Sequence, residues 1–293
     1  MTADQTRPRR SVLYMPGSRA RALEKARSLA ADSLILDLED AVTPEEKPAA
    51  RDLVCAAVRE GGYGGRELVI RINGLDTEWG AADLEAACAA GPDAILLPKV
   101  SRPEDITGLE AKMAAAPAHT RIWAMMETPL GMLNAAAIAA ASPRLACFVM
   151  GTNDLVKDLQ ARHTPDRLPV MTSLGLCLLA ARAHGLAIID GVYNAFRDEE
   201  GLRASCLQGL EMGFDGKTLI HPAQLPIANE VFAPTAEDLA QAEAYVSAFE
   251  AAMAEGAGVA VVDGRIVENL HVENARRLLA QAAAIRELEA GAA

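Results

Sequence analysis

Acidic residues recur at one kind of place in this chain of 293 residues, directly after short apolar runs. Glu39 and Asp40 follow Leu34–Leu38, Glu127 follows Ile122–Met126, Asp154 stands just past Ala146–Met150, and Asp190 follows Ala187–Ile189. Carboxylates gathered in one place repel one another and raise each other's pKa unless a cation neutralises them. Ligation by a few carboxylate oxygens, completed by water, is what Mg²⁺ prefers. Histidines are few and dispersed (His119, His163, His184, His221 and His271), which gives a zinc or iron site little support. Taken singly, each acid is an ordinary turn or helix-cap residue; as a group with Arg71 and Lys99 they read as a metal site. Arg71 ends an apolar run, Val69-Ile70-Arg71-Ile72-Asn73. A guanidinium there can hold a carboxylate or stabilise an oxyanion beside a metal, or pair structurally with Glu39 or Asp40. Arg19 and Lys25 flank the expected start of the first helix, where an N-terminus with cations favours phosphate. Gly17 and Ser18 form no Walker or dinucleotide loop, and by themselves the two cations read as a solvated helix face.

These residues converge only if the elements beneath them do. Eight runs of strand length alternate with alanine-rich segments of helix length: Val12–Met15, Leu34–Leu38, Leu68–Ile72, Ala94–Leu97, Ile122–Met126, Ala146–Met150, Ala187–Ile189 and Lys217–Ile220. The runs are continuously apolar, which predicts strands buried on both faces and hence a parallel sheet. Helices are predicted over Arg19–Ala30 after Ser18, over Glu45–Val58 after Pro44, and over Glu104–Ala115 after Pro103. Eight alternations predict an α/β fold of the (β/α)8, or TIM-barrel, type, in which all strand C-termini meet at one mouth. The barrel is expected to take residues 1–225. The tail, 226–293, exceeds what eight strand–helix units need; it is predicted to form a helical subdomain with Glu237–Glu255, a tight turn at Asp263-Gly264 and a last helix near His271–Leu288.

Composition narrows the partners. A net charge of −12 disfavours nucleic acid. Five scattered cysteines with no CxxC spacing disfavour a disulfide framework and suit a reducing cytoplasm. Met1–Arg10 is polar and basic and is not expected to act as a secretory signal. The longest apolar stretch, around Met132–Met150, is broken by Asn134, Ser142, Pro143 and Arg144, so no membrane span is expected.

In order along the chain stand Leu36-Asp37-Leu38-Glu39-Asp40-Ala41-Val42 with Lys47, Arg71-Ile72-Asn73, Leu97-Pro98-Lys99, Met126-Glu127-Thr128-Pro129, Gly151-Thr152-Asn153-Asp154-Leu155 and Ile220-His221-Pro222. From Ser11 to about Ala284 the chain resembles the citrate-lyase β-subunit-like branch of the HpcH/HpaI aldolase superfamily. That resemblance implies a barrel with a C-terminal lid and oligomerisation extension, assembled as a homotrimer or hexamer. It implies a Mg²⁺-dependent carbon–carbon lyase that cleaves a 3-hydroxyacyl-CoA of the malyl-CoA or citramalyl-CoA type. The products would be acetyl-CoA or propionyl-CoA and a 2-oxo acid. The alternatives are a thioesterase releasing malate and CoA from (3S)-malyl-CoA, and a citrate lyase β subunit acting on a citryl-carrier thioester. Carried over, Glu127 and Asp154 resemble direct Mg²⁺ ligands, Asp40 the acid that holds metal-bound water, and Glu39 its outer partner. Arg71 resembles the group that binds the substrate oxygen. Gly151, Thr152 and Asn153 resemble the backbone cradle of a carboxylate, and Arg19 and Lys25 the cations that meet CoA phosphates. The lyases of the family carry an aspartate in the tail as general acid/base, given across the subunit interface; here Glu268 stands in its place, in Gly264-Arg265-Ile266-Val267-Glu268-Asn269-Leu270. Glu268 is one methylene longer, which lowers the expectation of carbon–carbon cleavage and raises that of hydrolysis; its alternative role is an exposed helix cap.

Overall fold

A computed structural model describes residues 6–291 of the chain. The reading of Met1–Arg10 therefore lies partly outside the described residues. Eight parallel strands, β1 (Ser11–Pro16), β2 (Ser33–Asp37), β3 (Glu67–Arg71), β4 (Ala94–Leu97), β5 (Arg121–Met126), β6 (Leu145–Met150), β7 (Ala187–Asp190) and β8 (Gly216–Leu219), pair in sequence order and close with β8 on β1. The predicted (β/α)8 barrel is the observed fold, and each strand overlaps its predicted apolar run. Alternation explains why the runs are apolar throughout. Val12, Ile35, Val69, Leu96, Trp123, Val149 and Ile189 fill the barrel interior. Their neighbours Leu13, Leu34, Leu36, Ile70, Ile95, Phe148 and Ile188 pack outward into the larger core beneath the helices. Closure constrains one glycine. A Cβ on Gly216 would run into the carbonyl oxygen of Arg9, so β8 approaches the chain before β1 only because no side chain intervenes.

The surrounding helices are α1 (Ala20–Ala26), α2 (Lys47–Glu60), α3 (Gly80–Ala90), α4 (Pro103–Lys112), α5 (Pro129–Leu133), α6 (Ala135–Ala139), α7 (Thr152–Asp158), α8 (Met171–Ala183), α9 (Glu199–Met212) and α10 (Leu225–Val231). Pro44 opens a single 3₁₀ turn, Pro44–Glu46, that leads into α2. The first helix is shorter than its predicted span and ends at Ala26. Lys25 consequently lies in the last turn of α1, not beside its start.

Contacts divide the described residues into two units, the barrel Arg9–Phe232 and a smaller unit made of residues 6–8 with Ala233–Gly291. The smaller unit contains α11 (Ala236–Ala254), the antiparallel strands β9 (Ala260–Val262) and β10 (Arg265–Val267), and α12 (Asn269–Ala290). Asp263 and Gly264 both have positive φ, 49° and 75°, the backbone a two-residue hairpin turn of the primed type requires. Ala260, Val267 and Val272 are the buried centre of this unit, with Tyr245 and Phe249 packed against them. Among the described residues no helix is long and apolar enough to cross a membrane.

A buried ionic cluster ties β7 to β8. Asp190 is fully buried, and its carboxylate accepts from Lys217 Nζ at 2.8 Å and from Arg167 Nη1 at 2.6 and 2.7 Å. Burial alone would push the Asp190 carboxyl up; Lys217 and Arg167 together hold it below its ordinary value. Removing one cation leaves buried charge poorly compensated. Lys217→Met is expected to lose about 3 kcal/mol of stability in urea denaturation, and a loss below about 1 kcal/mol would show that Arg167 suffices alone.

Candidate active site

The strand register builds the site. Asp37, the last residue of β2, is the register partner of Arg71, the last residue of β3. Their side chains therefore leave the barrel rim together and meet in a bidentate pair, Nε to Oδ1 and Nη2 to Oδ2, both at 2.6 Å. Arg71 Nη1 turns the other way, 2.8 Å from Glu39 Oε2 and 3.3 Å from Asp40 Oδ2. Its guanidinium lies over the Tyr14 ring, 5.0 Å from the centroid. Burial alone would weaken the charge on Arg71, but Asp37 and its hydrogen bonds keep it firmly protonated. The turn that carries Glu39 and Asp40 is pinned by buried Lys47, whose Nζ donates to the carbonyls of Leu38 and Glu39 and to Asn73 Oδ1. Lys99 closes the ring of charge by donating from Nζ to Glu39 Oε1. Burial still pushes the Glu39 carboxyl up, against the opposing pull of Arg71 and Lys99.

Glu127 is the residue just beyond β5. It is buried, and its Oε1 accepts from the backbone N–H of Lys99 at 2.8 Å. Lys99 holds that N–H with a φ of 53°, a left-handed conformation that a side chain rarely adopts. On the opposite side Glu127 lies against Gly151, where a Cβ would collide with its carboxylate. Gly151 thus lets Glu127 and the first turn of α7, which carries Asp154, come together. Burial first, then the charges of Glu39 and Asp154, push the Glu127 carboxyl up to about 8, although the N–H and the charge of Lys99 pull it down.

Most of the sequence-predicted residues share one cavity of about 290 Å³ at the C-terminal mouth: Asp40, Arg71, Glu127, Gly151, Thr152, Asn153 and Asp154, with Tyr14 and Asp37. Glu39 lines an adjoining cleft of about 850 Å³ with Asp40, Lys47, Trp79 and Lys99. Asn153 does not stand free, because its side-chain amide is paired reciprocally with that of Asn194, at 3.2 and 2.8 Å. Arg19 and Lys25 are exposed and line neither cavity. Asp190, grouped with the mouth acids in the sequence, is instead committed to Lys217 and Arg167, because alternation after the inward Ile189 turns it outward beneath the helices, against Gly209 of α9. Glu268 belongs to the smaller unit, where it is exposed at the N-cap of α12 and its N–H donates to His271 Nδ1 at 3.1 Å. Asp37 and Tyr14 escaped the sequence reading. Asp37 lies two residues after the inward Ile35, and that period-two spacing along β2 is the signal that could have found it.

Among the described residues no three His, Cys, Asp or Glu side chains form a ready metal cage. The donor set that does converge is Glu127 with Asp154, all oxygen and electrostatically strained. Such a pair suits a hard divalent cation that completes its shell with water and substrate oxygens, as Mg²⁺ does. Ion and proton compete for the Glu127 oxygens. Mg²⁺ affinity is therefore expected to weaken as pH falls below about 8 and to level off above it. Calorimetry in buffers of different ionisation enthalpy should find close to one proton released per ion at about pH 6.5 and almost none at about pH 9.5. A pH-independent affinity across that range would contradict the assignment.

Comparison with known proteins places this geometry. A family model described as HpcH/HpaI aldolase/citrate lyase matches residues 10–222. A (3S)-malyl-CoA thioesterase of Cereibacter sphaeroides (strain KD131) is 60% identical over 288 residues, 98% of this chain and 99% of that protein. The citrate lyase subunit beta of Escherichia coli (strain K12) is 35% identical over 285 residues, 95% of this chain and 94% of that one. Among solved structures, CitE from Mycobacterium tuberculosis, in complex with magnesium, acetoacetate and coenzyme A, superposes with a TM-score of 0.75 at 30% identity. That match covers 93% of this chain and 97% of the other.

Proposed function

The chain belongs to the HpcH/HpaI aldolase/citrate lyase family, and from that premise we propose that it hydrolyses the thioester of a 3-hydroxy dicarboxylyl-CoA of the (3S)-malyl-CoA kind. The single observation that carries a chemistry of this type is the meeting of Arg71 with Glu127 and Asp154 in one cavity. The relatives at 60% identity favour hydrolysis over carbon–carbon cleavage, and so does glutamate at position 268.

Glu127 and Asp154 would hold Mg²⁺, which when bound would offset their charge and polarise a substrate oxygen. The backbone of Gly151, Thr152 and Asn153 would hold the terminal carboxylate of the acyl group. Arg19 and Lys25, both exposed, would meet the phosphates of CoA. Asp40, whose side chain is 60% exposed, is the most open acid of the set and would take a proton from the attacking water. Water oxygen adds to the thioester carbon, the carbonyl pair moves onto oxygen beside Arg71, and collapse expels the sulfur. The proton accepted by Asp40 passes to the departing thiolate, so malate and free CoA result. Asp37 keeps the guanidinium in place while charge develops.

Carbon–carbon cleavage to an acyl-CoA and a 2-oxo acid is the second reading. It is favoured by the relationship to citrate lyase subunits and by the same cavity, since cleavage also places negative charge on the thioester oxygen. Here Glu268 would act as general acid/base, across a subunit interface in a homo-oligomer, with the smaller unit as lid. A cytoplasmic setting is part of both readings.

The test is product analysis of (3S)-malyl-CoA incubated with Mg²⁺. Equal amounts of free thiol and malate without glyoxylate support hydrolysis, whereas glyoxylate with intact acetyl-CoA rejects it in favour of the lyase. Glu127→Gln is expected to weaken Mg²⁺ binding and to lower kcat by about 100-fold or more. Arg71→Lys should fail by a similar factor although charge is kept, because an ammonium cannot span both Asp37 oxygens and still reach Glu39. Near-normal turnover by Arg71→Lys would remove the guanidinium from the mechanism.

A further inference from the structure

We propose that the Tyr14 hydroxyl donates a hydrogen bond to the thioester carbonyl oxygen of the substrate; this rests on the reading of the cavity as a CoA-thioester site. Tyr14 sits in β1, where alternation turns it inward above Val12, so that its ring packs on the interior core and its side chain lines the cavity with Arg71 and Glu127. Arg71 lies against the ring and fixes its plane. The side chain is half-buried, and no described residue forms a hydrogen bond with the hydroxyl. The ring is thus held on its faces while its polar tip is left for something that enters the cavity.

Most of the other side-chain donors in the cavity are engaged. Of the five N–H groups of the Arg71 guanidinium, Nε and one on Nη2 serve Asp37 and Nη1 faces Glu39 and Asp40, which leaves a single Nη2 N–H. The Asn153 amide is occupied by Asn194. Thr152 Oγ1 is turned toward the backbone of Gly191, where a Cβ would strike it. The negative lining of Asp37, Asp40, Glu127 and Asp154 opposes charge growing on a carbonyl oxygen, so that oxygen needs neutral or positive donors aimed at it. Tyr14 supplies one without itself losing a proton. Both thioester hydrolysis and carbon–carbon cleavage place negative charge on that same oxygen, so the role holds whichever bond breaks.

Tyr14→Phe tests this, because it removes the oxygen and keeps the ring beneath Arg71. Kinetics with (3S)-malyl-CoA and Mg²⁺ should show kcat reduced roughly 10- to 100-fold. Calorimetric binding of two ligands with no thioester to cleave gives a second reading: a ketone analogue of succinyl-CoA with CH2 in place of sulfur, and a carboxyalkyl thioether of CoA that lacks the carbonyl oxygen. Tyr14→Phe should weaken the ketone several-fold and leave the thioether unchanged. A kcat within about twofold of the parent protein, or equal weakening of both ligands, would overturn the proposal. The products of the parent protein report separately on the proposed function: if they are glyoxylate and acetyl-CoA, hydrolysis fails while the Tyr14→Phe comparison still decides the role of the hydroxyl.

Discussion

Bringing carboxylates to the closed end of a barrel raises their energy unless opposite charge comes with them, and this constraint organises the mouth. Asp37, Glu39 and Glu127 are buried there, with Asp40 and Asp154 beside them. Arg71 and Lys99 pair with these carboxylates, and the charge of Lys47 lies beside them on the Leu38 and Glu39 carbonyls. Five acids against three bases leave a surplus of two negative charges, the charge of one divalent cation. Glu127 responds most: burial first, then the neighbouring acids, push its carboxyl up to about 8, and among the described residues its one hydrogen-bonding partner is the N–H of Lys99.

The barrel distributes the work of holding these groups. Register brings Asp37 opposite Arg71; Lys47, from the first turn of α2, clips the loop that follows β2; a left-handed Lys99 and a side-chain-free Gly151 grip Glu127 from two sides. Asp37, Lys47 and Lys99 touch no substrate in the proposed chemistry. They fix the groups that do, which is what preorganised electrostatic catalysis requires. A second ionic cluster, Asp190 with Lys217 and Arg167, is compensated from within and so has no comparable demand for an outside ion.

The barrel was legible because strands buried on both faces leave continuous apolar runs, and the acids and Arg71 were legible because they interrupt those runs at one end. What escaped depended on direction and not on position. Asp37 reads as the polar end of an apolar strand until its register with Arg71 is known. Tyr14 reads as core for the same reason, its hydroxyl being invisible to an apolar pattern. Asp190 ends the apolar run of β7 much as Glu127 succeeds that of β5, yet it finds Lys217 on the neighbouring strand, a pairing across 27 residues that local sequence does not announce. The first helix ends early at Ala26, which puts Lys25 in its last turn and not at the N-terminus, where a phosphate role was strongest.

Diffraction from crystals grown with Mg²⁺ tests the central electrostatic assignment most directly. One cation is expected at the mouth, with carboxylate oxygens of both Glu127 and Asp154 at about 2.1 Å and water in the remaining positions. A cation bound elsewhere, or a mouth that stays empty at saturating Mg²⁺ with Glu127 still held by the Lys99 N–H, would contradict it.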